Sequence, residues 1–380
     1  MSDLLKRGLD ALRAGDAPAA VAALEELTGS GDAEAPAWLA LAFARVNNGD
    51  GDGALAAVDR ALELEPRNLR ALLFKGDHLD RLGRARAAMG FYQAALGIAA
   101  GLTEAPPRDV QEGLKRAAAT SDRLAGDYEA HLRSALASAG FRDGAAPRFA
   151  ESFDILCGRK PVHYQEPTRY LFPGLPQIAF YPRETFPWLE ALEAQTPAIR
   201  AELEALLAGE ERFRPYLEQD PHSPQLNDRS NVGSMHWSAF YLWRDGALVE
   251  ENAARCPATV AALEGVPGPD VPGQTPTALF SRLKPGTHIP PHNGMVNTRL
   301  ICHLPIIVPP DCGELRVGNY VRPWVEGEAF VFDDSMEHEA INRSDRERVV
   351  LLFDIWRPEL TEAERHWVRT LLQAVDSFSD

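Results

Sequence analysis

Two imidazoles and one guanidinium carry the chemistry that this sequence offers. His292 lies in Pro290-Pro291-His292-Asn293-Gly294, His338 in Ser335-Met336-Glu337-His338-Glu339, and Arg348 follows in Asp345-Arg346-Glu347-Arg348. Ferrous iron in an oxygenase takes imidazole nitrogens on one side and keeps open positions for a bidentate keto acid and for dioxygen. Histidines on neighbouring strands meet that demand however far apart they stand in the chain. A buried guanidinium beside them grips the distal carboxylate of 2-oxoglutarate through two parallel hydrogen bonds, which a lysine matches poorly.

The residues around this core are less complete. A site of this kind usually adds a carboxylate two positions after the first histidine; here that position is Gly294, so a third ligand would have to be water. Pro290 and Pro291 exclude a helix between His288 and His292, and with it the helical zinc spacing of metalloproteases. His288 is expected to pack or to lie behind the ligands. Alternation with Val349 and Leu351 turns Arg348 inward on a strand, although Arg346 has the same parity and competes, and Arg343 is nearer the turn. Asp333 and Asp334 are expected to order the turn before His338 rather than to bind metal. His163, His222 and His236 have no partner pattern. Trp237, Trp243 and Trp356 read as aromatic core, any of them able to border a pocket.

These groups must be held by strands. Apolar runs at 238–243, 300–308, 329–332 and 349–356 are broken by Gly, Pro and Asp turns at close intervals, the spacing of an all-β sandwich or jelly roll. Helices are expected beside it at 197–207, with Ile199, Leu203, Leu206 and Leu207 on one face, and at 362–375.

The first hundred residues differ in kind. They superimpose on themselves at a period of 34. The eighth position of each unit holds Gly8, Ala42 and Gly76; the twentieth holds Ala20, Ala54 and Ala88; the twenty-fourth holds Leu24, Val58 and Tyr92. Small residues let the two helices of a pair approach, and the larger one is expected to fill the groove toward the next pair. Turns fall at Gly15-Asp16, Asn48-Gly49-Asp50 and Leu82-Gly83-Arg84, where a helix pair needs a C-cap. This text resembles tetratricopeptide repeats, and a helix between Pro107 and Phe141 caps them. The division is expected at 1–140, helical repeats with their cap, and 141–380, the jelly roll.

Composition bounds the rest. With 39 Lys+Arg against 55 Asp+Glu over 380 residues the net charge is −16, which argues against nucleic acid and anionic lipid as partners. The opening residues form no apolar targeting segment, and no run is long enough to span a membrane; a cytoplasmic protein is expected. Cys157, Cys256, Cys302 and Cys312 show no CxxC spacing and read as free thiols.

Residues 150–360, and most specifically 280–357, resemble the aspartyl/asparaginyl β-hydroxylase family of iron- and 2-oxoglutarate-dependent oxygenases. The matching text is Phe280-Ser281, Pro285-Gly286-Thr287-His288, Pro291-His292-Asn293-Gly294, Arg299-Leu300 with His303-Leu304, Phe332-Asp333-Asp334-Ser335 with Glu337-His338-Glu339, and Trp356-Arg357-Pro358. Upstream, Glu251-Asn252 and Ala254-Arg255-Cys256-Pro257 fit as well. The resemblance accounts for Gly294, because the family dispenses with the carboxylate ligand. It implies His292 and His338 as ligands of Fe(II), Arg348 and Ser281 on the distal carboxylate of 2-oxoglutarate, and His303 near its other end. Arg299 would help hold 2-oxoglutarate or an acidic group of the substrate. A second arginine often follows two positions later, and this chain has Ile301 there. The expectation is a dioxygenase hydroxylating carbon, foremost the β-carbon of Asp or Asn in a peptide or protein held near the repeats. A small metabolite or lipid-linked acyl group is the alternative substrate, and a non-catalytic adaptor the alternative class.

Overall fold

The computed structural model describes residues 2–379 except 32, 143, 210–212 and 219–230. It divides into two compact units, Met1–Arg159 and Lys160–Asp380.

The first unit consists of helix pairs: α1 (Asp3–Arg13) with α2 (Ala17–Thr28), α3 (Ala35–Asn47) with α4 (Gly51–Leu64), and α5 (Leu69–Arg81) with α6 (Ala85–Ala100). Between partners the chain turns through a residue in the left-handed region, Gly15 at φ 76°, Gly49 at φ 81° and Gly83 at φ 71°, where a Cβ would be strained. Asp16 and Asp50 then cap α2 and α4 with their side chains. Ala20, Ala42, Ala54 and Ala88 are fully buried, as expected of the repeat. The twenty-fourth residue behaves differently from expectation. A Cβ on Gly8 would stand 2.5 Å from Leu24, and one on Gly76 would stand 2.6 Å from Tyr92, so the large residue fills the space left by the glycine of its own pair. The long helix α7 (Arg108–Ser138) closes the array and buries Val110, Ala117 and Leu124 against α5 and α6.

The boundary lies at 159/160 rather than at 140/141. Helix α8 (Pro147–Leu156) belongs with the first unit, because Phe153 is clasped by the Arg133 and Arg159 guanidinium groups, each 5.2 Å from the ring centre.

The second unit carries two antiparallel sheets. Its strands are β1 (Arg214–Pro215), β2 (Trp237–Arg244), β3 (Ala247–Leu248), β4 (Ala278–Leu283), β5 (His288–His292), β6 (Arg299–Ile307), β7 (Glu314–Val317), β8 (Tyr320–Pro323), β9 (Phe330–Phe332), β10 (His338–Ile341) and β11 (Arg348–Trp356). The larger sheet runs β1-β2-β4-β11-β6-β9 with β3 on β2, and the smaller runs β5-β10-β7-β8, the double-sheet jelly roll expected. Four short helices accompany them: α9 (Leu189–Glu193), α10 (Thr196–Leu207), α11 (Glu250–Ala253) and α12 (Pro257–Leu263).

One face of the large sheet is covered by helix. Ile199, Leu203 and Leu206 of α10 pack on Phe280, Leu300, Cys302, Leu304, Leu351 and Phe353. The opposite face turns Trp237, Leu283, Ile301, Phe332 and Val350 toward Ile289, Leu315, Val317 and Ala340 of the small sheet. Burial on both faces makes these strands read as almost continuous apolar runs. At the chain end, α13 (Glu362–Asp376) opens with a capping box between Thr361 and Glu364 and buries Val368 and Leu372. Among the described residues no helix is long and apolar enough to cross a membrane. The four cysteines are unpaired, Cys256, Cys302 and Cys312 buried.

Candidate active site

His292 ends β5 and His338 begins β10, and the two residues face each other directly in the ladder, ring centroids 4.1 Å apart. Their Nδ1 atoms are within hydrogen-bond distance of backbone carbonyls, that of Pro290 at 2.8 Å and that of Met336 at 3.0 Å. A carbonyl only accepts, so each ring carries its proton on Nδ1 and presents the Nε2 lone pair. Burial holds both rings below the ordinary imidazole range, His338 down to about 3, so both stay neutral. Neutral imidazoles oriented through Nδ1 are metal ligands in their required form.

A bulge settles His288. The β5–β10 register shifts between His338 and Ala340, placing an additional residue on β5. His288 therefore does not share the face of His292. It stands nearly half exposed and bonds Glu339 at 2.8 Å, neither packed in the core nor lining the cavity.

The two histidines open onto a cavity of about 460 Å³ whose other wall is the inward face of the large sheet. On β11 this face presents Arg348 and Leu352; on β6 it presents Arg299, Ile301 and His303 at alternate positions; on β4 it presents Ser281. Every residue singled out for the site in the sequence lines this one cavity. Arg346 is exposed on the turn, and Arg343 pairs with Glu314 at the surface. His163 and His236 do not line the cavity, and His222 lies outside the described residues.

Arg348 is 1% exposed, yet its Nε and Nη1 have no hydrogen-bond partner among the described residues. Its guanidinium stacks on Trp324, 4.3 Å from the ring centre, and burial lowers its pKa to about 10. A cation kept dry without a counter-ion is costly, so the cavity is built to receive an anion at this point. His303, buried between Phe330 and Phe332, is driven well below the usual range by burial and by Arg348.

Asp333 and Asp334 differ in role. Asp333 orders the turn as expected: one carboxylate oxygen accepts from the backbone and hydroxyl of Ser335, the other from Arg357 at 2.8 Å and Gln165 at 2.7 Å. Asp334 instead lines the cavity. It lies 3.2 Å from the Arg299 guanidinium, and burial raises its carboxyl to about 6 despite that neighbour. A Cβ at position 294 would collide with this carboxylate, so Gly294 leaves room for Asp334. Trp237 and Tyr216 also border the cavity, stacked at 4.0 Å and 9°. The signal for Asp334 was its place four residues before His338. For Tyr216 the sequence held none.

Among the described residues no group of three His, Cys, Asp or Glu side chains gathers at metal-binding distance. The donor set is two imidazoles, with space beside them.

Residues 193–358 match the sequence profile of the aspartyl/asparaginyl beta-hydroxylase family, and residues 39–103 that of the tetratricopeptide repeat. The segment matched to the hydroxylase profile extends from the end of α9 past β11 and carries every residue of the site. An ornithine lipid ester-linked acyl 2-hydroxylase of Rhizobium tropici is 38% identical over 192 residues, covering 50% of this chain and 64% of the relative. Aspartate beta-hydroxylase domain-containing protein 2 of Xenopus tropicalis is 33% identical over 221 residues, 56% of this chain and 55% of the relative. The human aspartyl/asparaginyl beta-hydroxylase is 36% identical over 130 residues, 34% of this chain and 17% of the relative. The chain thus spans less than two thirds of the length of these relatives.

Proposed function

We propose that this protein is an Fe(II)- and 2-oxoglutarate-dependent dioxygenase that hydroxylates a carbon centre. One observation carries the proposal: two neutral, Nε2-presenting histidines and an unpaired buried arginine open into the same cavity. His292 and His338 would hold the metal, Arg348 and Ser281 the distal carboxylate of the keto acid, and His303 would stand near its other end. Bound together, ferrous iron and 2-oxoglutarate would let dioxygen act as the oxidant, one oxygen atom entering a substrate C–H bond and the other ending in succinate as the keto acid loses carbon dioxide. The chain's own task is to bind, orient and exclude water. The backbone carbonyls of Pro290 and Met336 fix the ligand rings, and Trp324 supports the Arg348 guanidinium. Phe332, Leu315 and Leu352 keep the walls apolar, which strengthens each charge contact made inside. Arg299, held by Asp334, keeps Nη1 unpaired for substrate or co-substrate.

For the substrate, the match of residues 193–358 to the aspartyl/asparaginyl beta-hydroxylase profile supports the β-carbon of Asp or Asn in a polypeptide, with the helical repeats as a peptide- or protein-binding surface. A cytoplasmic setting, in keeping with four unpaired thiols, is part of this reading. A second reading, an acyl chain, is favoured by Ile301, 7% exposed on the cavity wall between Arg299 and His303. An acidic side chain would find a single arginine there, already beside Asp334. The name of the Rhizobium relative points the same way.

The test is calorimetric binding of 2-oxoglutarate with and without iron, followed by succinate release over a panel of Asp/Asn peptides and acyl lipids under labelled dioxygen. Metal-dependent binding is expected, with label entering one substrate class. His338→Ala should abolish the binding. A variant that still binds metal and keto acid normally would refute the ligand assignment, and absence of binding by the unaltered protein would refute the whole reading.

A further inference from the structure

We propose that Trp237 is a positioning residue for the co-substrate, directing the proton of the Ser281 hydroxyl into the cavity. The inference rests on the iron and 2-oxoglutarate reading above. Trp237 and Ser281 are buried at 6% and 3% exposure, and the indole Nε1 donates to Ser281 Oγ at 3.3 Å. An indole N–H only donates. The serine oxygen is thereby engaged as an acceptor, and its own proton is left for another partner. Among the described residues the hydroxyl makes no other hydrogen bond, and it lines the cavity.

Register shows what that partner must be. Trp237 of β2 and Arg348 of β11 both pair with Leu283 of β4, and Ser281 stands two residues along β4 on the same face. The three side chains therefore share one end of the inward face, where Nε and Nη1 of Arg348 have no partner among the described residues. A carboxylate is the acceptor that an O–H and a guanidinium converging from adjacent strands would share. The indole itself is held by the parallel Tyr216 ring, and its position on β2 is fixed by the ladder to β4. Without it the hydroxyl is free to turn among its staggered positions, and part of its bond to the carboxylate is lost. Aromatic bulk at 237 reads as core from sequence; what marks this indole out is its N–H on a buried serine.

The experiment measures binding of 2-oxoglutarate and of oxalate to the manganese-loaded full chain by calorimetry. Oxalate chelates the metal but has no distal carboxylate. In Trp237→Phe, affinity for 2-oxoglutarate should fall by about three- to tenfold while oxalate changes by less than about twofold. In the Ser281→Ala background the same substitution should add no further loss, since the indole acts through the hydroxyl. Equal weakening of both ligands, or losses that multiply in the double variant, would overturn the proposal and leave Trp237 as packing. Should Trp237→Phe not fold, Tyr216→Leu removes the stacking partner and keeps the N–H. A smaller loss confined to 2-oxoglutarate supports the proposal, and any other pattern overturns it. If the unaltered protein binds neither ligand in a metal-dependent way, the functional reading fails first.

Discussion

Arg348 sets the balance between stability and function at the scale of one side chain. Its burial without a counter-ion costs on the order of a few kcal/mol, only partly offset by the Trp324 ring. Arg348→Met should therefore unfold at an equal or higher urea concentration than the unaltered protein, by on the order of 1–4 kcal/mol without co-substrate. The same variant should lose at least about a hundredfold in 2-oxoglutarate affinity, since two charge-assisted hydrogen bonds go. Urea titrations with and without the keto acid read both effects. The histidines carry a pH signature. His338 falls from 6.5 to about 3 on folding, so below 6.5 the unfolded chain takes up a proton that the folded chain refuses. Its contribution to stability is whole above pH 6.5 and is lost progressively as pH falls toward about 3. Urea midpoints measured between pH 7 and 5 should drop in the unaltered protein and drop less in His338→Gln.

Strand periodicity is where the sequence was most legible and also where it stopped. Alternation along β11 separated Arg348, turned inward, from Val349 and Leu351, turned toward α10, and the structure removes Arg346 by placing it on the exposed turn. The period of 34 located the helix pairs because each small residue has a large one to receive, Gly8 with Leu24 and Gly76 with Tyr92. That these contacts close within a pair was not readable from spacing, since both packings require the same residue sizes. Nor was the bulge on β5, which has no residue signature in Ile289-Pro290-Pro291 beyond the absence of helix. It makes a definite prediction. His288→Ala removes a surface contact with Glu339 and should change iron affinity by less than about twofold, because a half-exposed hydrogen bond away from the cavity contributes little. Competition with a coloured chelator measures this; a large loss would return His288 to the metal site. Asp334 escaped sequence reading for a related reason: two adjacent aspartates point opposite ways, and only the packed turn tells which one meets the cavity.

At the scale of the molecule, each hydrophobic cluster lies within one unit: the alanine-rich clusters in the helical repeats, the aromatic and β-branched ones in the sheets. In the sequence, the end of the repeats and their capping helix places a division near residue 140, and so leaves α8 on the wrong side of it. A chain of residues 160–380 alone should accordingly keep metal-dependent 2-oxoglutarate affinity within about threefold, since every site residue has its packing partners inside that unit. Turnover of a protein substrate by that fragment should fall if the repeats hold it, and turnover of a small acyl substrate should not. Comparing the two fragment activities separates the substrate readings without knowledge of the natural partner.

The unpaired guanidinium and the two rings stand on hydrogen-bonded strands, Arg348 at the start of β11 where it pairs with Leu283 of β4, and the histidines across β5 and β10. Neither end can slide, so the gap between them works as a fixed gauge for the length of a dicarboxylic acid. Oxaloacetate, one methylene shorter than 2-oxoglutarate, and 2-oxoadipate, one longer, should each satisfy one end and miss the other. In competition calorimetry both should bind at least about tenfold more weakly than the keto acid of matching span.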